Sequence, residues 1–407
     1  MLKPLLNLGV QPIANEYINE EHDPELFFKL VLGIDEDTML LSLMQNIPKE
    51  IVYTSSYAYH SSGSKTMRDH FRQTALDMQL FDPELTLEIG SNDGAFLSHF
   101  PTDAAVSVEP CGNFAMMTRQ LGYRTFEAFW NVGTAQRVVA ERGQAQLVYS
   151  ANCICHIEDL DETFQAVNVA MADDGVFVFE DPSVEGMIKN TSYDQVYVEH
   201  VHMFSATALD RVLRANGLEI FDIERLSVHG GSNRIFAKKM KNKAIDVSTR
   251  LGSVLAHESE MGLDDVKTYY DFAASSVKSK KILVEHLKMM KALNKKIISY
   301  GATAKSATVF NYCKIGPEMI DYITDNTPAK QDKLSPGVHI PIVSQGETIA
   351  DDVDVAFLGA WNYLAEIAEK EKTFLDRGGV FLTHVPNVRL INKENVAQAI
   401  EDLNAFS

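Results

Sequence analysis

Two α/β units in series, preceded by a small cap, are the fold the sequence predicts, and three observations predict it. Between residues 76 and 240, short apolar runs bounded by turn residues alternate with helical stretches. That is the pattern of a mostly parallel sheet flanked by helices. A second alternation of the same kind begins near residue 294. Finally, LEIGSNDGAFL (87–97) reads as a strand, a Gly-bounded turn and a helix start, the local geometry of an α/β ligand site.

The elements follow in order. Residues 1–75 contain apolar runs, LFFKLVLGI and TMLLSLM, that read as strands, then a Tyr/Ser/His-rich segment, IVYTSSYAYHSSGSKTMRDHF. So short a module suggests a lid or recognition cap rather than a self-sufficient core. In residues 76–240, LTLEIG, AAVSVEP, QLVYSAN, GVFVFEDP and NRIFAKK read as strands. GNFAMMTRQLG, DLDETFQAVNVAMA and SATALDRVLRANG are the helices between them. Residues 241–293 are poor in Gly and Pro and keep a helical period through SSVKSKKILVEHLKMMKALN, which predicts a helical connector. Residues 294–407 form the second α/β unit through KKIISYGATAKSATVFNYC, MIDYITDN, VDVAFLGAW and GGVFLTHVP.

Composition narrows the function classes. The chain has 407 residues, and 37 Lys and Arg against 56 Asp and Glu leave a net charge of −19, which argues against a nucleic-acid partner. With 45% hydrophobic and 23% charged residues the chain is globular rather than disordered. Cys111, Cys153, Cys155 and Cys313 are too few and scattered for a disulfide framework, and Cys153 and Cys155 lack C-x-x-C spacing. The start of the chain lacks the features of a signal peptide, and no apolar run is long enough to span a bilayer. The expectation is a cytoplasmic protein without a membrane partner, its oligomeric state open.

In the 87–97 turn, Gly90 and Gly94 permit a tight bend and close backbone approach, with Glu88, Ser91, Asn92 and Asp93 between and beside them. VSVEP then places Glu109, followed by Pro110, at the end of the next strand, where a carboxylate can accept hydrogen bonds from two ribose hydroxyls. The spacing G-x-x-x-G fits a pyrophosphate turn poorly. E-x-G-x-x-x-G with an acidic residue after the second strand resembles the class I, Rossmann-like methyltransferases that bind S-adenosylmethionine. Ala151 and Asn152, after the fourth strand, would line that cofactor. A nicotinamide fold and a ligand-free turn are the competing readings.

TSYDQVYVEHVHMFSATAL (191–209) follows the fifth strand, at the sheet edge where α/β folds bind ligands. Tyr197, Glu199 and His200 cluster there. A histidine can remove a proton, a neighbouring carboxylate can orient it, and a phenol can donate to a developing enolate. On its own, Tyr-x-Glu-His is as well read as structural; its position after a cofactor sheet is what raises it.

Together, EIGSNDGAFL, YDQVYVEHVHMFS, HGGSNRIFA, YGATAKSATVFNYC and YITDNTPAKQDKLSPGVHIPI resemble the bacterial C-methyltransferases that act on nucleotide-linked deoxyketosugars in branched-sugar synthesis. The resemblance runs from about residue 50 to residue 390. It implies deprotonation of the carbon beside a 4-keto group, most simply C-3, and attack of that carbon on the sulfonium methyl. His200 matches the family's general base, and Tyr197 and Glu199 its active-site partners. Tyr59 would be a second phenol supplied by the cap, with Tyr57 the competing choice. His229, Gly230, Gly231 and Ser232 of HGGSN would contact the sugar or phosphate. YGATAKS, followed by Asp325 at the next strand end, mimics a dinucleotide fold but lacks G-x-G-x-x-G. It reads instead as the site for the nucleotide end of the sugar, with Lys305 near the phosphates and a solvated helix start the competing reading.

Relatives usually open with a zinc module of two C-x-x-C pairs, and residues 1–110 here contain no cysteine. His22, His60 and His70 cannot replace four thiolates, so the expectation is no zinc, and no metal at Cys153 and His156 either. The cap must then hold together by packing or docking. Two other classes stay open: an O- or N-methyltransferase on a small molecule, and a nucleotide-binding oxidoreductase or epimerase using the C-terminal unit.

Overall fold

A computed structural model describes residues 1–55 and 57–404. Three sheets organise them. The first is antiparallel, in the order β1 (Leu2–Pro12), β2 (Phe27–Asp35), β3 (Leu40–Leu43) and β9 (His202–Met203). Its last strand lies just after Tyr197-x-Glu199-His200, so the cap and that segment share one sheet.

The second sheet has seven strands. At its centre, β4 (Thr86–Ile89) has β5 (Ala105–Val108) and β6 (Arg124–Phe126) on one side and β7 (Ala145–Ala151) and β8 (Met171–Pro182) on the other. All five run parallel; β11 (Ser232–Lys239) and β10 (Leu218–Leu226) close one edge as an antiparallel hairpin. Every residue of β4 and β5 is buried, as strands covered by helices on both faces require. The order reverses beside β4, which opens a crevice at the carboxyl ends of these strands. The predicted Rossmann-like architecture is therefore present.

Helices Thr249–Glu260 and Val266–Ala292 form the connector. The third sheet follows in the order β14 (Ile342–Ser344), β13 (Ile323–Asp325), β12 (Ile297–Tyr300), β15 (Val355–Leu358), β16 (Val380–Thr383), β17 (Arg389–Ile391), parallel except for its last strand. Among the described residues no helix is long and apolar enough to cross a membrane.

Two features place the cap differently from its sequence boundary at residue 75. Helix Lys65–Gln79 packs Met67, Phe71, Ala75 and Met78 against Phe96, Leu147 and Tyr149 of the seven-stranded unit, so it belongs to that unit. The cap sheet, in turn, shares one core with the C-terminal half. Leu6, Leu8, Leu32 and Ile34 pack in the same cluster as Leu283, Leu287, Phe310 and Phe357. Each such buried Leu or Ile contributes about 1.5–3 kcal/mol, which here is docking energy rather than autonomous stability.

Candidate active site

A single cavity of about 680 Å³ opens where the three parts meet. The carboxyl ends of β4, β5 and β7 form one wall, the 193–201 segment another, and the start of helix Ala304–Cys313 a third. Its size is in the range of small-molecule sites.

On the first wall, Gly90 and Gly94 both take positive φ, +73° and +79°. A Cβ on Gly90 would stand 2.6 Å from the Cys153 Sγ, so only glycine lets the turn close there. Glu109 Oε2 accepts from the Asn92 N–H at 2.7 Å and Oε1 from the Cys111 N–H at 2.8 Å. Those bonds fix the carboxylate at the cavity wall beside Gly90, Asn92, Pro110, Ala151 and Asn152, all of which line it. Asn152 itself adopts φ +49°, a strained conformation of the kind functional loops retain.

Four predicted contacts lie behind this wall instead. Glu88 is buried among Glu109 and Asp93, and burial pushes its carboxyl well above the usual range. The Ser91 hydroxyl meets that of Ser107 at 2.6 Å. Asp93 accepts from the Ser62 N–H and hydroxyl, at 3.1 and 2.7 Å, and so ties down the cap's Tyr/Ser/His segment. Gly94 serves the turn alone. Consecutive residues of a tight turn cannot all face one side, which is why these four support rather than line the cavity.

The second wall carries the Tyr-x-Glu-His residues. His200 is buried, and its Nδ1–H donates to the Gln195 carbonyl at 2.8 Å. That bond assigns the proton to Nδ1 and leaves Nε2 as an acceptor, 2.5 Å from the Tyr197 hydroxyl. Burial, with His156 nearby, lowers the imidazole pKa well below its ordinary value, so the ring is neutral. The carboxylate expected to orient His200 does not do so. Glu199 Oε2 accepts from Asn15 Nδ2 at 2.7 Å and from the Tyr57 hydroxyl at 3.4 Å, while Oε1 is buried without a partner. Burial pushes this carboxyl up to about 7.

Tyr57, then, is the phenol that reaches Glu199. Tyr59 lines the cavity as well; it is 38% exposed, and its carbonyl accepts from Asn92 Nδ2 at 3.0 Å. Residues two apart in an extended segment share a side, so both phenols reach the cavity, and the sequence alone could not tell which of them meets the carboxylate. Three further residues were not anticipated. Asn15 arrives from the loop after β1. His156 stacks on Tyr53 and lies 5.2 Å, centroid to centroid, from His200. Gln195 acts through its backbone, which leaves no signature in sequence.

Cys155, His156 and His200 each place one ligand-type atom within 4.8 Å of the others. Both ring nitrogens of His200 are engaged, and burial holds the Cys155 thiol well above its ordinary range, so the trio does not offer three free ligand atoms.

On the third wall, Lys305 Nζ donates to the His229 carbonyl at 3.1 Å and stands 5.1 Å from the Trp361 ring centre. Burial lowers its pKa to about 8. Lys330 joins it, donating to the Ala302 carbonyl at 2.8 Å and lying 3.8 Å from Asp325. Between them Thr303 caps the helix start, with its hydroxyl accepting from the Ser306 N–H. His229 also lines the cavity and keeps a buried, unpartnered Nε2. The other HGGSN residues do not face it. Gly230, at φ +85°, lets Trp361 pack where a Cβ would lie 2.1 Å from its ring. The Gly231 carbonyl accepts from the Ser183 N–H at 3.0 Å, and the Ser232 hydroxyl donates to the Val228 carbonyl at 3.1 Å. These are loop-closing and packing roles.

Comparison with known proteins agrees with this architecture. Residues 61–223 match a methyltransferase domain family and residues 227–386 the C-methyltransferase C-terminal domain family. The chain is 30% identical over 400 residues to the C-methyltransferase NovU of Streptomyces niveus, an alignment covering 96% of this chain and 94% of that protein. Solved structures that match part of the chain include SAM-dependent methyltransferases from Thermotoga maritima and Anabaena variabilis. The first is 18% identical over 42% of this chain and 91% of that one (TM-score 0.33). The second is 14% identical over 43% and 86% (TM-score 0.35). The chain belongs to the S-adenosylmethionine-dependent C-methyltransferases.

Proposed function

We propose that this enzyme methylates the carbon next to the keto group, at C-3, of a nucleotide-linked 4-keto-deoxysugar. The observation that carries the reading is His200: a neutral imidazole, its Nδ1–H held by Gln195, with an acceptor Nε2 beside a phenol in the cavity that the cofactor turn also lines. Nitrogen or oxygen methylation would not need a base and a phenol arranged for an enolate.

In the cofactor end, Gly90 gives the close approach, Glu109 faces the ribose hydroxyls and Asn152 flanks the adenosine. When bound, S-adenosylmethionine supplies an electrophilic methyl on a sulfonium. His200 Nε2 takes the proton from the sugar carbon. As it does so, the Tyr197 hydroxyl loses its acceptor and turns to the developing enolate oxygen, where a preplaced donor is worth most. That methyl would pass to the carbon's electron pair with the sulfur as leaving group, and the His200 imidazolium later returns its proton to solvent. Glu199 Oε1, buried and unpartnered, accepts a hydrogen bond from a sugar hydroxyl, and accepts it most strongly when ionised. Lys305 and Lys330, at the capped helix start, face the diphosphate, and this local positive wall offsets the chain's net charge of −19.

The test is solvent-deuterium exchange into nucleoside-diphosphate-linked 4-keto-6-deoxysugars, run without the methyl donor. The wild type should wash deuterium into C-3, and His200→Ala should abolish both exchange and methylation while keeping its affinity for S-adenosylhomocysteine. Near-normal turnover by the variant would remove His200 from the base role. Methylation without exchange, at oxygen, would replace carbon as the acceptor.

A further inference from the structure

The loop after β1 lies far from the cofactor turn in sequence, yet it delivers a side chain to the middle of the cavity. Asn15 sits in a turn closed by the Glu16 N–H donating to the Ile13 carbonyl at 3.2 Å. Ile13 and Ala14 are buried on one side of it. On the other, the Tyr17 hydroxyl donates to the Ala302 carbonyl at 2.7 Å, and Ile18 pairs with Leu334 through two backbone bonds, at 3.3 and 2.8 Å. The turn is thus pinned to the C-terminal unit immediately after the residue that enters the cavity.

We propose that Asn15 is a positioning residue: its side-chain amide anchors Oε2 of Glu199, which fixes the free Oε1 toward the methyl acceptor. This rests on the assignment of Glu199 as the acceptor of a sugar hydroxyl. A carboxylate on three rotatable bonds, served by one 2.7 Å donor and one at 3.4 Å, is oriented chiefly by the former. The remaining groups facing it are the phenols of Tyr17, Tyr53, Tyr57 and Tyr197, all of which burial keeps protonated. Phenols of that kind donate but do not neutralise charge. Asn15 therefore has a second consequence: both its side chain and its backbone N–H hold down a carboxyl that burial drives up to about 7. An alanine at this position keeps the backbone donor and removes only the side-chain one.

Titration of Glu199 is read in the substrate-free enzyme from the infrared difference between wild type and Glu199→Gln. Asn15→Ala should move that titration upward by about one pH unit, the equivalent of about 1.4 kcal/mol. Asn15→Asp, isosteric but without the donor and with a like charge, should move it at least as far. On the 4-ketosugar, each should lower kcat at neutral pH by at least about fivefold with the KM for S-adenosylmethionine unchanged. The acid limb of the rate profile should shift with the titration. Tyr17→Phe, which loosens the same loop but removes no hydrogen bond to Glu199, should move the titration far less than either Asn15 variant. If Asn15→Asp folds, binds S-adenosylhomocysteine normally and titrates like wild type, Asn15 does not position Glu199, while the role of Glu199 itself stands. If instead Glu199→Gln methylates at the wild-type rate, that role fails and the inference falls with it.

Discussion

Glu199 and Asp181 are carboxylates buried where water would ordinarily keep them charged, and burial pushes each up to about 7. Each still holds its proton in the folded chain at pH values where the unfolded chain, with ordinary values of 4.5 and 3.8, has lost it. Folding is therefore favoured below those unfolded values, and the advantage is lost as pH climbs through about 7. Glu199→Gln does not titrate. The difference in Tm, variant minus wild type, should grow in the variant's favour between about pH 5 and about pH 8, even as the variant loses activity. A difference constant with pH, followed by differential scanning calorimetry, would show that Glu199 is not held in this way. Which residues were legible follows from the same local physics. Tyr197, Glu199 and His200 stand within four positions, so the sequence displays them as a group. Asn15, Tyr57 and His156 join them only through long-range packing. The partner that orients His200 is a backbone carbonyl, and every residue has one.

At the scale of elements, the loop between β10 and β11 shows how a motif can be placed correctly and read for the wrong reason. HGGSN borders the cavity through His229, but its first glycine exists for Trp361, whose Nε1–H donates to the buried Asp194 at 2.6 Å. Asp194 immediately precedes Gln195, the residue that holds His200. Gly230→Ala meets both a positive φ and a 2.1 Å overlap with the indole, so it should destabilise the chain by about 1–3 kcal/mol. It should also lower kcat by displacing the 193–200 segment. Urea unfolding and steady-state kinetics would check both, and a variant as stable as wild type would mean the Trp361 packing is dispensable. Strands β4, β5, β7 and β8 were legible because a strand covered on both faces must be an apolar run. β1 was not. Asn7 and Gly9 interrupt its apolar residues, and register shifts between Pro4 and Leu6 and between Asn7 and Val10 break the alternation that would have announced it.

For the whole molecule, the absence of N-terminal cysteines poses a question that the packing answers. A short module without a metal has to bury its apolar face against something else. The cap sheet does so twice: through β9, a strand lent by the catalytic segment, and through the core it shares with the connector and the third sheet. Its loop then closes the cavity with Asn15, and its Tyr/Ser/His segment is tied to the cofactor turn through Asp93. The substrate end, the cofactor end and the cap are thus parts of one packed body, and the cap's stability is that of its contacts. If packing alone holds the cap together, dialysis against a strong chelator should leave both Tm and methylation unchanged. A fragment limited to residues 1–64 should show no cooperative unfolding by circular dichroism, since it would expose Leu6, Leu8, Leu32 and Ile34 without the helices that cover them. A cooperative transition in that fragment would mean that the cap carries a core of its own. Loss of structure on chelation would mean instead that a metal site, built from residues other than cysteine, holds it together.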